Sequence, residues 1–458
     1  MTECNQVSFG FARHFSRAVK ADFAGGTISS DGGALLLREA DRRLNLLKRF
    51  AGCFQDGRDP RYVVHGLPEM VRQRVYGLVL GYEDLNDHEQ LRHDPMLALL
   101  AEKEEIGQEP LAGKSTLNRL ELGGEKPDRY KKILYDQAAI DQLLVDVFLE
   151  AHEQAPERMV LDLDVTDVAL HGHQEGRFFH GYYDNYCYLP LYIFCGSHLL
   201  GVRLRQANQD AAAGCKEELQ RIVGRIRQRW PETLIIVRAD SGFCREELMS
   251  WCEQQPKMQY VLGFARNAKL REMIEPQMAE ATAQAKEKGQ AARVFTEFLY
   301  RTVSGSWSRQ RRVVAKAEYL DDKENPRFVV TSLESESWPA QKLYEEMYCA
   351  RGDMENRIKE QFSLFASRVS AESFRANQLR IYFSALAYVL LQGLRRLGLE
   401  GTELAQAQCC TVRLKLLKIG ALIRISVRRI HLLLASGYPD PDLFRRIYLR
   451  LQDTPLPV

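Results

Sequence analysis

Hydrophobic residues in the first 155 positions recur mainly at helical spacing. A short strand-like stretch from Ala18 to Ile28 precedes a predicted helix from about Gly33 to Phe50. A second predicted helix covers Leu67 to Leu80 and ends at Gly81, with a further helix after it. Helix, glycine and helix form the outline of a helix-turn-helix, a common pattern of low specificity. We therefore predict a mainly helical N-terminal domain over residues 1–155.

From about residue 156 the spacing of apolar residues becomes strand-like. Five strands are predicted, at Met159–Val165, Tyr186–Cys195, Leu199–Arg205, Leu234–Asp240 and Gln259–Ala265. Two amphipathic helices fall between the later strands, at Glu217–Trp230 and Arg245–Gln254. Three strands followed by helix, strand, helix and strand is the order of a ribonuclease-H-like mixed sheet. We predict the first part of such a core over residues 156–267.

The remaining chain predicts three further segments. Residues 268–332 contain a polar helix and then strand-like runs, which we interpret as a β-rich insertion. Helical spacing resumes over 333–400 and would complete the core, and residues 401–458 form a basic C-terminal segment. The predicted fold class is therefore α/β, a mixed α+β multidomain chain. Its 458 residues correspond to about three domains of ~150 residues each.

Positive charge is concentrated at the C-terminal end. The whole chain carries a net charge of only +2, but Thr411 to Arg450 holds nine Lys or Arg against two Asp, which gives +7. Such a basic face suits a phosphate backbone, although cations covering a core or a solvated helix face give the same pattern. The candidate phosphate contacts are Arg413, Lys415, Lys418, Arg428 and Arg429.

Cysteine and histidine give little support for a metal centre. The chain has ten Cys and none forms a Cys-x-x-Cys pair. His171, His173, His180 and Cys187 form the one cluster with zinc-like spacing, and we interpret them instead as loop histidines and a buried thiol. No run of eighteen apolar residues and no secretory signal is found, so we expect a soluble cytoplasmic protein.

Two predicted strands carry acids where a catalytic site could form. Asp162 and Asp164 share one face of their strand because side chains alternate with period two, and Asp240 closes a second strand. Carboxylates held at strand ends are typical ligands of a magnesium ion in phosphoryl transfer. The alternative is that each acid only caps the turn that follows it.

A third acid lies in a helical segment of the second half. Tyr348, Arg351, Glu355 and Lys359 follow one another along the edge of a predicted helix, next to its buried stripe. An acid on that edge could point into a site at the end of a sheet, whereas the alternative is an exposed ladder of ion pairs. Gly352 within the helix predicts a close approach to its backbone.

Taken together, these motifs resemble those of a known family. Asp164-Val-Thr166, Ala239-Asp-Ser-Gly-Phe243 and the Tyr-x-x-Arg-x-x-x-Glu run from Tyr348 to Glu355 are similar to motifs of bacterial DDE transposases with a Y-R-E signature. More narrowly, the chain resembles the insertion sequence 1380 family over about residues 20–450. One departure is Phe362, which stands where such families often have a Lys, so that Lys359 is the nearest match.

The resemblance implies a function and a set of site residues. Asp164, Asp240 and Glu355 would hold two Mg²⁺ ions, which Mn²⁺ could replace, while Tyr348, Arg351 and Lys359 would contact DNA phosphates. The first acid stays open, since Asp162 and Asp167 flank Asp164, and Asp164 is chosen because it stands in Asp-x-Thr. The enzyme would cut an insertion sequence at its terminal inverted repeats and join it to target DNA, acting as a homodimer on DNA in the bacterial nucleoid. Its N-terminal domain would bind DNA.

Two other functions remain open from the sequence. Asp162-x-Asp164-x-Thr166 also matches the nucleophile strand of haloacid-dehalogenase-type phosphatases, in which Asp162 would attack phosphate and Asp164 would serve as acid and base. A catalytically silent DNA-binding protein derived from a transposase is the second alternative. Trp307 is a further open case, either a stacking platform for an unpaired base or a core residue.

Overall fold

The computed structural model describes residues 8–302 and 305–456. Within that part the chain forms two compact units. Unit 1 combines Met1–Tyr135, Ser363–Phe365 and Leu386–Val458, and unit 2 combines Asp136–Phe362 and Ala366–Ala385.

Unit 2 is built on one nine-stranded sheet, whose strands we label β1 to β9 in chain order. They are β1 Arg158–Val165, β2 Leu191–Cys195, β3 His198–Arg203, β4 Leu234–Ala239, β5 Met258–Phe264, β6 Ala292–Tyr300, β7 Arg311–Leu320, β8 Lys323–Glu324 and β9 Arg327–Thr331. The spatial order is β3-β2-β1-β4-β5-β9-β7-β6, with β8 paired to β7.

The first five strands confirm the predicted ribonuclease-H-like arrangement. β1, β4 and β5 run parallel to one another, while β2 is antiparallel to both β1 and β3. Parallel strands need crossover helices, and Cys215–Arg229 and Glu246–Gln254 connect β3 to β4 and β4 to β5. Apolar residues from these strands and helices form one buried core, as their near-continuous hydrophobic runs require.

The predicted β-rich insertion extends this same sheet. β9 pairs antiparallel with β5, β7 pairs with β9 and β6 with β7, so the edge that β5 would otherwise expose is covered. Two helices, Ala268–Met273 and Glu275–Lys288, precede β6. Trp307, which the sequence left open, is 3% exposed and packs against Phe264 and Tyr300, so it is a core residue in this structure.

The helical run that follows β9 changes its winding within a few residues. It passes from a short α-turn at Ala340–Lys342 to a π-helix at Leu343–Tyr348, a 3₁₀ turn at Cys349–Arg351 and an α-helix at Gly352–Ser363, which we label α1. The sequence predicted one regular helix here. Short π segments inside helices are frequent at functional sites.

The remaining helices of unit 2 flank the sheet. Gln137–Glu150 contacts β3, and Phe374–Leu394 contributes residues to both units. Three short strands form a small separate sheet, at Val168–Ala169, Phe178–His180 and Asn185–Tyr188.

Unit 1 is mainly helical and also contains small β-sheets. Its helices are Leu35–Leu44, Leu46–Gly52, Leu67–Leu80, His88–Leu91, Pro95–Leu100, Lys114–Glu121, Cys409–Val412 and Pro441–Asp453, with a π-helical stretch at Arg395–Leu399 and another at Arg413–Leu417. Its strands are Phe9–His14, Arg17–Ala21, Ile28–Ser29, Phe54–Asp56, Ile133–Tyr135, Ala421–Ser426 and Arg429–Leu434.

The helix-turn-helix outline is not realised in unit 1. Leu67–Leu80 is a helix as predicted and Gly81 ends it with a φ of 96°. The next turn is a 3₁₀ segment capped by Asp84, and the helix His88–Leu91 spans four residues. A helix of one turn is too short to act as a recognition helix in a DNA groove. No helix in the described ranges is both long and apolar enough to cross a bilayer.

Candidate active site

Two of the predicted acids lie at the same edge of the sheet. β1 and β4 are parallel neighbours, and Leu163 pairs with Ala239 in their register. The next residues along the two strands are Asp164 and Asp240, so both carboxylates lie at the carboxyl ends of adjacent strands. This edge is where open α/β sheets place their ligand sites.

The Asp164 carboxylate is largely shielded from solvent. Its Oδ1 accepts a hydrogen bond of 2.9 Å from the Val165 amide, and its side chain is 15% exposed. Burial raises the pKa of Asp164 to about 6; Arg351 opposes that rise, while the charges of Asp240 and Glu355 add to it. The effect of those two acids on one pKa indicates that the three carboxylates share an electrostatic environment.

Asp240 is held by the turn that follows its strand. Its Oδ1 accepts a 2.8 Å hydrogen bond from the Gly242 amide and caps the 3₁₀ turn Ser241–Phe243. The capping alternative considered for this acid is therefore realised. It also fixes the carboxylate at the sheet edge, because the cap orients the side chain back over the turn.

Arg351 connects the helical run to the sheet edge. Its Nη1 lies 3.1 Å from Asp164 Oδ2 and its Nη2 lies 3.3 Å from Glu355 Oε1. One guanidinium thus joins a carboxylate of α1 to a carboxylate of β1, and Arg351 itself lies 187 residues from Asp164 in the sequence. Glu355 is the most accessible member of the group, with its side chain 52% exposed.

Gly263 allows the helical run to approach the sheet. A Cβ on Gly263 would lie 2.5 Å from the Tyr348 hydroxyl and 2.8 Å from the Ser241 amide nitrogen, so any side chain there would clash. Tyr348 therefore packs over β5 beside the Asp240 turn. Burial raises the pKa of Tyr348, with Arg351 lowering it and Asp240 raising it further. In the sequence, the only sign of this role for Gly263 is a glycine within a predicted strand.

The close approach that Gly352 predicted is absent. A Cβ on Gly352 would meet nothing within 4 Å, and its backbone is ordinary right-handed helix. The residue instead begins α1 at the junction with the 3₁₀ turn. The close contact to backbone occurs at Gly263.

Asp162 has a different partner from Asp164. Its carboxylate forms a two-pronged ion pair with Arg238, which lies opposite it on β4, with N–O distances of 2.5 and 2.8 Å. Arg238 also donates to the Met347 carbonyl, and both side chains are less than 10% exposed. Sequence reasoning missed Arg238, although a lone Arg inside an apolar strand requires a buried partner.

The predicted DNA-binding cations fall into two groups. Arg413 donates to the carbonyls of Val79 and Ser363, and Lys418 pairs with Asp31 at 2.6 Å, so both are used inside unit 1. The remaining cations are exposed: Lys359 on α1, Lys415 in its π-helical stretch, and Arg428 and Arg429 at the turn of the hairpin Ala421–Leu434. Arg413 and Lys418 therefore fit a structural role.

The sheet edge provides the donor chemistry of a divalent cation site. Asp164, Asp240 and Glu355 offer hard oxygen ligands, and Arg351 shows that two of them can hold a positive charge between them. Among the described residues, however, no three His, Cys, Asp or Glu side chains form a group able to hold one ion. In this structure the Arg351 guanidinium lies between Asp164 and Glu355. His171, His173, His180 and Cys187 form no such group either.

Carboxylates at the ends of neighbouring strands are donor groups of the kind that proteins of metal-assisted phosphoryl transfer use. The sequence matches the family described as transposase DDE domain group 1 over residues 11–456. The chain therefore belongs to this family of transposases, which are enzymes that act on DNA, and DDE transposases generally use divalent metal ions.

Solved structures and curated sequences give less detail. The chain is similar to the piggyBac transposase in a cryo-EM synaptic complex with hairpin DNA, with 9% identity and a TM-score of 0.40. That similarity covers 85% of this chain and 80% of the other. None of the curated proteins matches the chain.

Proposed function

We propose that the protein is a cut-and-paste transposase of the insertion sequence 1380 type, with Asp164, Asp240 and Glu355 as its catalytic acids. It cleaves the terminal inverted repeats of an insertion sequence and joins the freed ends to target DNA. The observation that carries the proposal is the Arg351 bridge. It brings Glu355 of the Y-R-E segment to Asp164, beside the strand that ends in Asp240.

The reaction consists of two in-line displacements at phosphorus. In the first, a water oxygen attacks the scissile phosphate, the bond from phosphorus to the 3′ oxygen breaks, and that oxygen leaves as a 3′-OH. In the second, this 3′-OH attacks a target phosphate and releases a target 3′-OH. Two Mg²⁺ ions, replaceable by Mn²⁺, would lower the pKa of the attacking water and stabilise charge on the leaving oxygen when bound by the three acids.

Arg351 has a second role in this proposal. In the DNA-free protein its guanidinium neutralises Asp164 and Glu355, and on DNA it would donate to a phosphate near the cleaved bond. Tyr348 and Lys359, on the same helical run, would contact neighbouring phosphates. Lys415, Arg428 and Arg429 would add contacts from unit 1, and the protein would assemble as a homodimer on two transposon ends in the nucleoid.

The ion pair between Asp162 and Arg238 disfavours the phosphatase alternative. A covalent nucleophile must present a free carboxylate oxygen to phosphate, whereas both Asp162 oxygens accept hydrogen bonds from a buried arginine. The silent-protein alternative is disfavoured because all three predicted acids are present and two of them share the Arg351 guanidinium.

Nicking of a labelled duplex tests the proposal. The duplex carries an inverted repeat taken from DNA flanking the coding region. Glu355→Gln and Asp240→Asn should each bind it yet lower Mg²⁺-dependent cleavage by about a thousandfold or more. Glu346→Gln makes the same change at an exposed glutamate of the same helical run and should cleave normally. Wild-type cleavage by Glu355→Gln would refute the assignment.

A further inference from the structure

Unit 1 contains a cleft that none of the predicted site residues lines. It lies where the turn Pro60–Tyr62, the helix Lys114–Glu121 and the segment leading into Ile133–Tyr135 come together. Its volume is about 230 Å³. The walls carry four cations and two tyrosines, namely Arg58, Arg119, Arg129, Lys132, Tyr62 and Tyr130, and we call this site the N-terminal basic cleft.

Three of the four cations form no ion pair in the described part of the chain, although Lys132 is close enough to Asp59 to help Arg61 lower the pKa of that acid. Arg58 is used locally, since its guanidinium binds both oxygens of Asp56 and donates to the His65 carbonyl. Arg119, Arg129 and Lys132 form no ion pair within 8–302 and 305–456. The acid of the cleft, Asp59, is held by Arg61 instead. The cleft therefore carries uncompensated positive charge.

A larger cleft in unit 2 shows that a cleft lined by arginines does not always carry uncompensated positive charge. Its volume is about 560 Å³, and three of the residues that line it are arginines, at positions 309, 311 and 312. Arg311 pairs with Glu246 and Glu253, and Arg312 pairs with Glu297. Those arginines hold the sheet and its helices together, whereas Arg119 and Arg129 of the N-terminal basic cleft are exposed and form no ion pair with any described residue.

The two tyrosines give the cleft flat aromatic surfaces. Tyr62 is 80% exposed and Tyr130 is 63% exposed, so both rings are accessible to a ligand. A guanidinium lies near each ring, Arg61 at 5.7 Å from the Tyr62 centroid and Arg129 at 5.3 Å from the Tyr130 centroid. Exposed aromatics beside unpaired cations are the combination that binds single-stranded nucleic acid, through base stacking and phosphate contacts.

We propose that the N-terminal basic cleft binds a single strand of DNA, with phosphates on Arg119, Arg129 and Lys132 and an unpaired base against Tyr62 and Tyr130. The choice of DNA as the ligand rests on the proposed function, because strand cleavage at a transposon end leaves an end whose terminal nucleotides can unpair. None of the proposed catalytic acids lines this cleft.

Binding of fluorescent oligonucleotides to the full chain in EDTA tests this proposal without any catalysis. Tyr62→Ala with Tyr130→Ala should weaken binding of a 12-nucleotide single strand by about 10- to 100-fold, since stacking contributes about 1–3 kcal/mol per base. Binding of the matching duplex should change less than about threefold. Tyr62→Phe with Tyr130→Phe keeps the rings and should retain single-strand affinity.

The cations make a separate prediction about salt. Replacing Arg119, Arg129 and Lys132 by Ala should lower the slope of log affinity against log salt by about 2, at roughly 0.7 per phosphate contact on a single strand. Arg271→Ala with Lys288→Ala removes two exposed cations of unit 2 and should leave the slope unchanged. An unchanged slope in the triple variant would overturn the phosphate contacts.

Failure of this proposal can be told apart from failure of the proposed function. If the wild-type protein cleaves transposon ends but the Tyr→Ala pair binds single strands normally, the cleft is wrong and the transposase assignment stands. If the wild-type protein cleaves nothing yet the Tyr→Ala pair loses single-strand binding, the cleft is supported and the catalytic proposal fails.

Discussion

Asp162 and Asp164 lie two residues apart on one face of β1, and each pairs with an arginine. The Asp162–Arg238 pair joins two adjacent strands inside the protein, with side chains 6% and 8% exposed. The Asp164–Arg351 pair joins a strand end to a helical run, with side chains 15% and 20% exposed and a second acid, Glu355, on the same guanidinium. Both oxygens of Asp162 bind the buried Arg238, whereas the Arg351 guanidinium at the sheet edge is divided between Asp164 and the exposed Glu355. Position along the strand, and not residue type, separates the structural acid from the proposed catalytic one.

Asp162→Asn should produce the larger change in stability. The substitution leaves the Arg238 charge buried without its counter-charge, which is expected to cost about 3–5 kcal/mol of the free energy of unfolding. Urea unfolding at pH 7.5 measures this cost, with Glu346→Gln as the exposed control. Replacing Asp162 and Arg238 together by leucine should recover most of the loss, because an apolar pair can substitute for a buried ion pair. Wild-type stability in Asp162→Asn would remove the distinction between the two acids.

Asp164→Asn should raise the free energy of unfolding at neutral pH, whereas Asp162→Asn lowers it. The folded pKa of Asp164, about 6, lies above its ordinary value of 3.8, so the folded protein binds this proton more tightly than the unfolded chain. Its contribution to stability is present below pH 4 and is lost as the pH rises through 6, a change of up to about 3 kcal/mol.

An uncharged asparagine removes that pH-dependent loss. In EDTA, Asp164→Asn should therefore raise the free energy of unfolding by about 1–3 kcal/mol at pH 7.5 and change it little at pH 4. Urea titrations at the two pH values provide the measurement. A destabilised Asp164→Asn at pH 7.5 would mean that this acid, like Asp162, stabilises the fold.

Arg351→Gln should have the smallest effect of the three. Without the guanidinium, Asp164 and Glu355 are free to bind a cation, and Mn²⁺ affinity of the DNA-free protein should rise by about fivefold, the upper range for a partly exposed ion pair. Calorimetric titration with Mn²⁺ measures this directly. In the same variant, the slope of log duplex affinity against log salt concentration should fall in magnitude by about 0.9, as expected for the loss of one phosphate contact. Weaker Mn²⁺ binding would show that Arg351 supports the cation instead of substituting for it.

Much of the fold could be predicted because its signals are local. The strands of the core alternate or run apolar over their observed lengths, and Leu67–Leu80 begins and ends where its glycine and proline signals lie. The change of winding between Leu343 and Arg351 could not be predicted, since it depends on packing against β5 at Gly263. The spacing of apolar residues predicts a helix here, but not whether it winds as an α-helix, a 3₁₀-helix or a π-helix.

The candidate site was predictable in its acids but not in their partners. Asp164, Asp240 and Glu355 stand in recognisable motifs, whereas the partner of Asp162 lies 76 residues away. Arg413 illustrates the same limit, because its partners are carbonyls 334 and 50 residues distant. Charge counted along a sequence does not reveal which cations are already used inside the fold.

Iron-directed cleavage of the polypeptide shows whether Asp164, Asp240 and Glu355 bind the same ion. Fe²⁺ bound in place of Mg²⁺ reacts with added hydrogen peroxide to give Fe³⁺, hydroxide and hydroxyl radicals. The radicals cut the chain beside the ligands of the ion, and mass spectrometry locates the cuts. We expect cuts next to residues 164, 240 and 355 in the wild-type protein. All three cuts should disappear together in Asp164→Asn, and all three should remain in the control Glu346→Gln. Cuts near 164 and 240 with none near 355 would contradict it, because Glu355 would then not share an ion with the acids of the sheet.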